Sequence, residues 1–416
     1  MGLGPSIKMT SLHHHDCPVT RRLINDTEVN FVGIIENGVS ENFDAKVATA
    51  VSTGELGSEL RLDGAIVAID GWGNHHIDFI NVIEQLGIHD IPSVGLSYIG
   101  LQGRLVATNP YVETIIDFNK EVSGYESCVV GQNNLTDMDA YKAIQILKSK
   151  VRKSFAFKKR QSELSGTDKI IGSLRRNYIS ISTAQFGDNT SINGEKLTIR
   201  TDIVAPLVAA EPRIRDCHIS FLLPHDSKHI HINSNLDFMP IACKEEGVIG
   251  MGVTRQLEGV SVMLNGVEYG SGFQPANIGS SEGILDERVC FDQAGTSRST
   301  DIILHFDFLF EEGEGRTSEG IQAAHEMADR VLNEIRQSMK SASISHSEDF
   351  IMTSRPSKMR LGLVKICSGL GNMYDTAVFP AQPAGILGAY TTREKDNKPV
   401  FMTPCEVLDG AIHSLI

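Results

Sequence analysis

The run Asp70-Gly71-Trp72-Gly73-Asn74-His75-His76-Ile77-Asp78 concentrates the residue types of a small-ligand site. Its glycines allow backbone to approach a ligand, and a helix starting at its end would favour an anionic group such as a carboxylate. A tight turn that simply caps a helix fits the same residues. The spacing is not Gly-x-Gly-x-x-Gly, so no dinucleotide site is indicated. His225-Asp226-Ser227-Lys228-His229-Ile230-His231 could aim His229 and His231 at one metal from alternate strand positions, and it also reads as a polar surface turn. His13-His14-His15, beside Asp16 and Cys17, leaves open either metal ligation or a polar loop near a ligand. Neither has paired Cys-x-x-Cys spacing, and no metal site is expected. Gly250-Met251-Gly252-Val253-Thr254-Arg255 and Ile278-Gly279-Ser280-Ser281-Glu282-Gly283 are Gly/Ser-rich turns, the first carrying an Arg that could pair with a carboxylate. Spacing alone names none of the cysteines a nucleophile.

The elements around these segments alternate. Val29–Ile35, Gly64–Ile69 and Ile91–Tyr98 are apolar runs suited to strands buried on both faces. Between them helices are expected over Phe43–Val51, ending near Gly54 and Gly57, and over Ile77–Leu86, with Gly87 as a stop. Strand–helix alternation with short links implies parallel strands and right-handed crossovers. A further helix fits Asp139–Lys150, capped from Thr136 to Asp139. The fold class expected is α/β: a wound parallel-sheet domain over residues 1–150, a basic linker over 151–174, and a mixed α+β domain over 175–416. The linker belongs to a basic, Ser- and Gly-rich stretch that includes Lys148, Arg160, Arg175 and Arg176, read as solvated, with a cationic nucleic-acid or lipid arm as the alternative. The second domain shows strand-like runs at Tyr178–Ser182, Lys196–Ile199, His218–Leu223, Val260–Leu264, Ile302–Phe310 and Leu361–Ile366. It also holds one amphipathic helix with Ser318 as N-cap, and Lys340–Ser347 reads as a loop. Asp409-Gly410-Ala411-Ile412-His413-Ser414 is too apolar for a free tail and reads as packed.

The chain has 416 residues, with 38 Lys and Arg against 52 Asp and Glu, a net charge of −14. That balance argues against non-specific nucleic-acid binding and against an anionic membrane surface. There is no apolar stretch of membrane-spanning length and no signal-like N-terminus. Seven scattered cysteines suit reduced thiols in a cytoplasmic protein. An acidic α/β protein acting on something small remains.

Several long blocks resemble one family, the pyruvoyl-type amino-acid reductases of the D-proline reductase and glycine reductase component B group. They are Cys17–Leu23 (CPVTRRL), Gly71–Gly103, Met239–Leu264, Gly279–Glu287, Ala323–Asp329, Pro380–Ala389 and Glu406–Leu415. Their order differs. In the family the block ending in EVLDG precedes a self-cleavage Cys, and the CPVTRRL-like block follows it; here the latter opens the chain and the former closes it. The sequence reads as circularly permuted. In the family that Cys attacks the preceding carbonyl, and elimination leaves an N-terminal pyruvoyl electron sink. Gly2, in Gly2-Leu3-Gly4-Pro5-Ser6, stands at the Cys position, so a pyruvoyl is not made here by the family route. Either the Gly2 amine, or a carbonyl made from it, serves instead, or the chain is a binding, regulatory or accessory relative.

The resemblance implies reductive ring opening of D-proline or a similar cyclic amino acid to a 5-aminopentanoate-type product. Electrons would come through a separate selenocysteine- or cysteine-containing subunit of an oligomeric enzyme. Gly2, His76, Asp78 and His413 are then the catalytic candidates. Gly71, Gly73, Asn74, Arg255, Ser280 and Ser281 are the candidates for holding the substrate, its carboxylate above all.

Overall fold

The computed structural model describes residues 10–38, 42–69, 75–97, 106–120, 122, 129–161, 164–224, 229–270, 282–315, 317–367 and 399–410. The apolar runs near the start of the chain form parallel strands Val29–Gly38, Gly64–Ile69 and Ser93–Ser97, joined by Ile115–Asp117. Two strands come from far along the chain. Met359–Cys367 lies parallel between Val29–Gly38 and Gly64–Ile69, and Val400–Met402 runs antiparallel on the outer edge. The strand expected near Leu361–Ile366 therefore completes the first sheet rather than the mixed half.

Alternation along these strands separates two faces. Ile34, Leu361, Leu363, Ile66, Val94 and Leu96 share one core with Leu23 and with Ala140, Ala143, Ile144, Leu147 and Val151 of the helix Asp137–Lys153. Ile35, Val364, Ile366, Ala65 and Val67 share the other with Phe79, Ile80, Ile83 and Leu86 of the helix His75–Ile88 and with Ala50. Thr136 and Asp139 form the expected capping box.

The helix Phe43–Glu59 runs through Gly54 and Gly57 instead of ending there. A Cβ on Gly54 would lie 2.9 Å from Gln85 Cβ, and one on Gly57 would lie 3.1 Å from Leu86 Cδ2. These glycines let two helices approach closely; they do not terminate one. Gly87 likewise lies inside its helix.

The mixed half holds two four-stranded sheets. One orders Ser234–Met239, Val260–Glu268, Ile302–Phe310 and Ile214–Leu222; the other orders Ala242–Glu246, Gly252–Glu258, Lys169–Ser180 and His346–Ser354. Ala324, Ala328, Val331, Leu332, Ile335 and Met339 of the long helix Ser318–Met339 enter its core. Thr317, not Ser318, caps that helix by accepting the Gly320 N–H at 2.9 Å. The expected loop at 340–347 gives way to strand from His346 onward, antiparallel to Lys169–Ser180.

The basic stretch is structured and spends its charge internally. It continues the helix Asp137–Lys153, forms the helix Phe155–Gln161 and enters the strand Lys169–Ser180. Lys148 is buried against Asp26 (2.6 Å) and Glu28 (2.8 Å), Arg160 pairs with Asp63, and Arg175 pairs with Asp349. No helix of the described residues is long and apolar enough to cross a membrane.

Replacing Gly54 by Leu forces a side chain against Gln85 and separates the two helices. A loss of about 1–3 kcal/mol is expected, read as a lower urea midpoint.

Candidate functional site

Ser11–His15 forms a single helical turn, started by Thr10, whose hydroxyl accepts the His13 N–H at 3.1 Å. A polar turn of this kind belongs on a surface by composition, yet Ser11, Leu12, His13, His14 and His15 are all buried. The outward bonds reach several elements. The Ser11 N–H donates to Asp237 Oδ1 at 2.9 Å, and its hydroxyl bonds the other carboxylate oxygen. His325 Nε2 lies 3.6 Å from that same oxygen, Asp237 Oδ2. Lys365 Nζ donates to His14 Nδ1 at 3.2 Å, and His15 Nε2 meets Gln256 Oε1 at 2.9 Å. An amide oxygen only accepts, so His15 carries its proton on Nε2.

Arg176 closes the arrangement. Fully buried, it donates to the His15 and Leu408 carbonyls, lies 3.3 Å from Asp16 and covers the Phe350 ring at 4.9 Å. Asp16 also pairs with Arg21 at 2.9 Å, and Arg21 with Glu348 at 2.8 Å. Asp409 is held in turn by Lys244 Nζ (2.7 Å), the Gly250 N–H (2.8 Å) and the Thr254 hydroxyl (2.6 Å). Two segments singled out in the sequence, the Gly250–Arg255 turn and the start of the Asp409–Ser414 block, are thus one structural unit.

Burial sets the electrostatics. It lowers His13 to about 3, aided by Lys365 and opposed by Asp16; it lowers His15 to about 3, aided by Arg176. Burial takes His76 to about 4, and burial with His218 takes His305 to about 4. Burial would raise the Asp16 carboxyl, but Arg176, His15 and Arg21 overcome it and hold the group below its ordinary range. Cys217, Cys243, Cys290 and Cys405 are free, and burial raises each of these thiols, Cys405 to about 12. Among the described residues no three His, Cys, Asp or Glu side chains converge as a metal-binding group.

Of the sequence candidates, His76, Asp78 and Arg255 are described. His76 is fully buried beside Phe79, and neither ring nitrogen has a hydrogen-bond partner among the described residues. Asp78 forms a buried ion pair with Lys46 of the neighbouring helix at 2.5 Å. Arg255 is one residue from Gln256 and so faces the other side of its strand. Its guanidinium bonds Glu245 (2.7 Å) and the Met339 (3.0 Å) and Ala342 (2.8 Å) carbonyls, which ties the sheet to the end of the long helix. Gly2, Gly71, Gly73, Asn74, Ser280, Ser281 and His413 lie outside the described residues, as do His225 and Lys228.

Sequence reasoning missed Lys365, Glu36, Gln256, Asp237 and the role of Arg176. Lys365 and Glu36 had a signal: each is a charged residue following a run of apolar residues near the carboxyl end of its strand. In wound α/β sheets those ends line the ligand crevice. Here His13, Cys17, Ala68, Leu96, Phe118, Leu363 and Lys365 border a narrow cavity at that edge.

This arrangement defines an α/β protein with a narrow cavity at the carboxyl edge of its parallel sheet, bordered by a buried histidine turn. The chain belongs to the family of glycine/sarcosine/betaine reductase component B subunits, whose family model matches residues 3–117 and 173–415. It is 31% identical over 255 residues to the D-proline reductase proprotein PrdA of Acetoanaerobium sticklandii, covering 60% of this chain and 40% of that protein. It is 25% identical over 125 residues to the betaine reductase complex component B subunit alpha of Peptoclostridium acidaminophilum, covering 30% of this chain and 27% of that protein. The chain therefore spans less than half the length of either relative. No solved structure matches it.

Two outcomes follow from this site. Arg176→Leu removes three partners at once and leaves Asp16 with less compensation. It should cost about 3–5 kcal/mol, with amide exchange accelerated at residues 11–16 and 404–409 before the rest of the molecule. The second concerns pH. The buried histidines bind protons in the unfolded chain near pH 6.5 but resist them when folded until about pH 3 to 4. The unfolded state then binds more protons across that window, so stability falls as the pH drops from 6.5 towards 4. Each histidine contributes up to about 1.4 kcal/mol per pH unit. Urea midpoints at pH 7, 6 and 5 should decline in sequence; equal midpoints would refute the assignment.

Proposed function

We propose that this chain is an amino-acid reductase subunit whose substrate is a small cyclic amino acid, D-proline or a near relative, bound at the crevice beneath the Ser11–His15 turn. The observation that carries the reading is the family match on both halves of the chain, 3–117 and 173–415, which between them contain the residues of this buried cluster. The match to a D-proline reductase proprotein supports the substrate class. In this reading the chain works in the cytoplasm within an oligomeric enzyme, and a partner carrying a selenol or thiol delivers dithiol electrons. His76, whose buried ring nitrogens have no hydrogen-bond partner among the described residues, and the Gly71–Asn74 turn ahead of it would orient the substrate. Asp78 would act through its Lys46 pair as a positioning residue, and His413 and the Ser280–Ser281 turn complete the proposed set. Arg255, already held by three partners, would support the sheet rather than the substrate carboxylate.

The pyruvoyl group implied by the family does not fit the residues present. Gly2 has no side chain from which to form it, and no step is assigned to it here. That same glycine favours a second reading, in which the chain binds the family's ligands as a regulatory or accessory subunit without turnover. A circularly permuted arrangement of the family's two blocks is part of both readings.

Calorimetric titration with D-proline, L-proline, glycine and betaine separates the cases. Saturable binding of D-proline is expected, weakened about tenfold or more in His76→Leu, a change of about 1.4 kcal/mol. Binding of none of the four would overturn the assignment. Conversion to 5-aminopentanoate with dithiothreitol supports the reductase reading, and binding without conversion supports the accessory one.

A further inference from the structure

Lys365 is 1% exposed, at the carboxyl end of a central parallel strand. Among the described residues it forms no ion pair, and its described hydrogen bond is to the His14 imidazole at 3.2 Å. A buried lysine with no described ion-pair partner is costly unless the site uses its amine. The rest of the pocket points the same way. Cys17, Val19, Ala68, Leu96, Phe118 and Leu363 make its walls apolar. The cavity's free volume is about that of one water, so only a slim terminal group reaches the amine. Glu36 is the register partner of Lys365 on the adjacent parallel strand and is itself buried on the same face, about 5 Å away across the sheet. A carboxylate entering beside Lys365 would meet that second carboxyl group; a neutral carbonyl would not.

We propose that Lys365 is a carbonyl-capturing amine that forms an imine with a small neutral aldehyde or ketone. The unprotonated Nζ attacks the carbonyl carbon, a C–N bond forms, and the C=O π pair moves to oxygen. A proton passes from nitrogen to oxygen, for which His14 Nδ1 is the adjacent carrier, and loss of water leaves the neutral imine, which takes one further proton from solvent to become the iminium that cyanoborohydride reduces. No oxidant or reductant is consumed. The proposal does not rest on the reductase reading, since the adduct forms whether or not an amino acid is turned over.

The test treats the full chain with hydroxyacetone and sodium cyanoborohydride, followed by intact mass and peptide mapping. One reduced adduct per chain is expected, on Lys365. It should fall at least tenfold in Lys365→Met and in Lys365→Arg, the latter keeping the charge, with both variants checked by circular dichroism. His14→Phe should slow labelling without moving it to another lysine. Absence of an adduct, or labelling spread over surface lysines and unchanged in either variant, overturns the proposal. If a variant fails to fold, the wild-type peptide map decides alone. Faster labelling by pyruvate than by hydroxyacetone also overturns it, because the ammonium would then be serving as a carboxylate anchor.

Discussion

A buried polar turn draws its hydrogen-bond partners from the elements packed against it, and in this protein that demand organises the molecule, although His13 Nδ1 and His15 Nδ1 find none among the described residues. Ser11–His15 brings imidazoles, a hydroxyl and backbone carbonyls into a region where unpaired groups cost about 1–3 kcal/mol each. Asp237, Gln256, Lys365 and Arg176 answer it, and they come from four strands in three sheets. The parallel sheet and the mixed half are joined here by specific polar bonds as well as by apolar packing. Arg176 is the most connected member, because its planar fork reaches the histidine turn, Asp16 and the Leu408 carbonyl together.

The same construction makes the site chemically unusual. Burial keeps the imidazoles neutral far below their ordinary range, so near neutral pH they act as hydrogen-bonding and proton-passing groups rather than cations. Burial raises the Cys217, Cys243, Cys290 and Cys405 thiols, which disfavours the reactive thiolate. Lys365 is left as the basic group at the edge of the sheet where wound α/β proteins take their ligands.

Much of the fold was legible because local physics dictated it. The runs at Val29, Gly64 and Ser93 could only be strands covered on both faces, and Thr136 with Asp139 marked a helix start that the structure keeps. The readings that failed were those in which a residue's local meaning and its tertiary use differ. Gly54 and Gly57 look like helix stops but serve a close helix–helix contact. Arg176 and Lys148 look like solvated linker charge but are buried ion-pair partners.

By itself, then, the sequence determined the α/β class, the acidic charge balance and the reductase family, since these reside in periodicity, composition and contiguous blocks. Tertiary structure alone decided where the site lies. The insertion of Met359–Cys367 beside Val29–Gly38 brings Lys365 next to Glu36 and under His14, residues hundreds of positions apart. Strand order and register created that neighbourhood, and neither is encoded in any local pattern of residues.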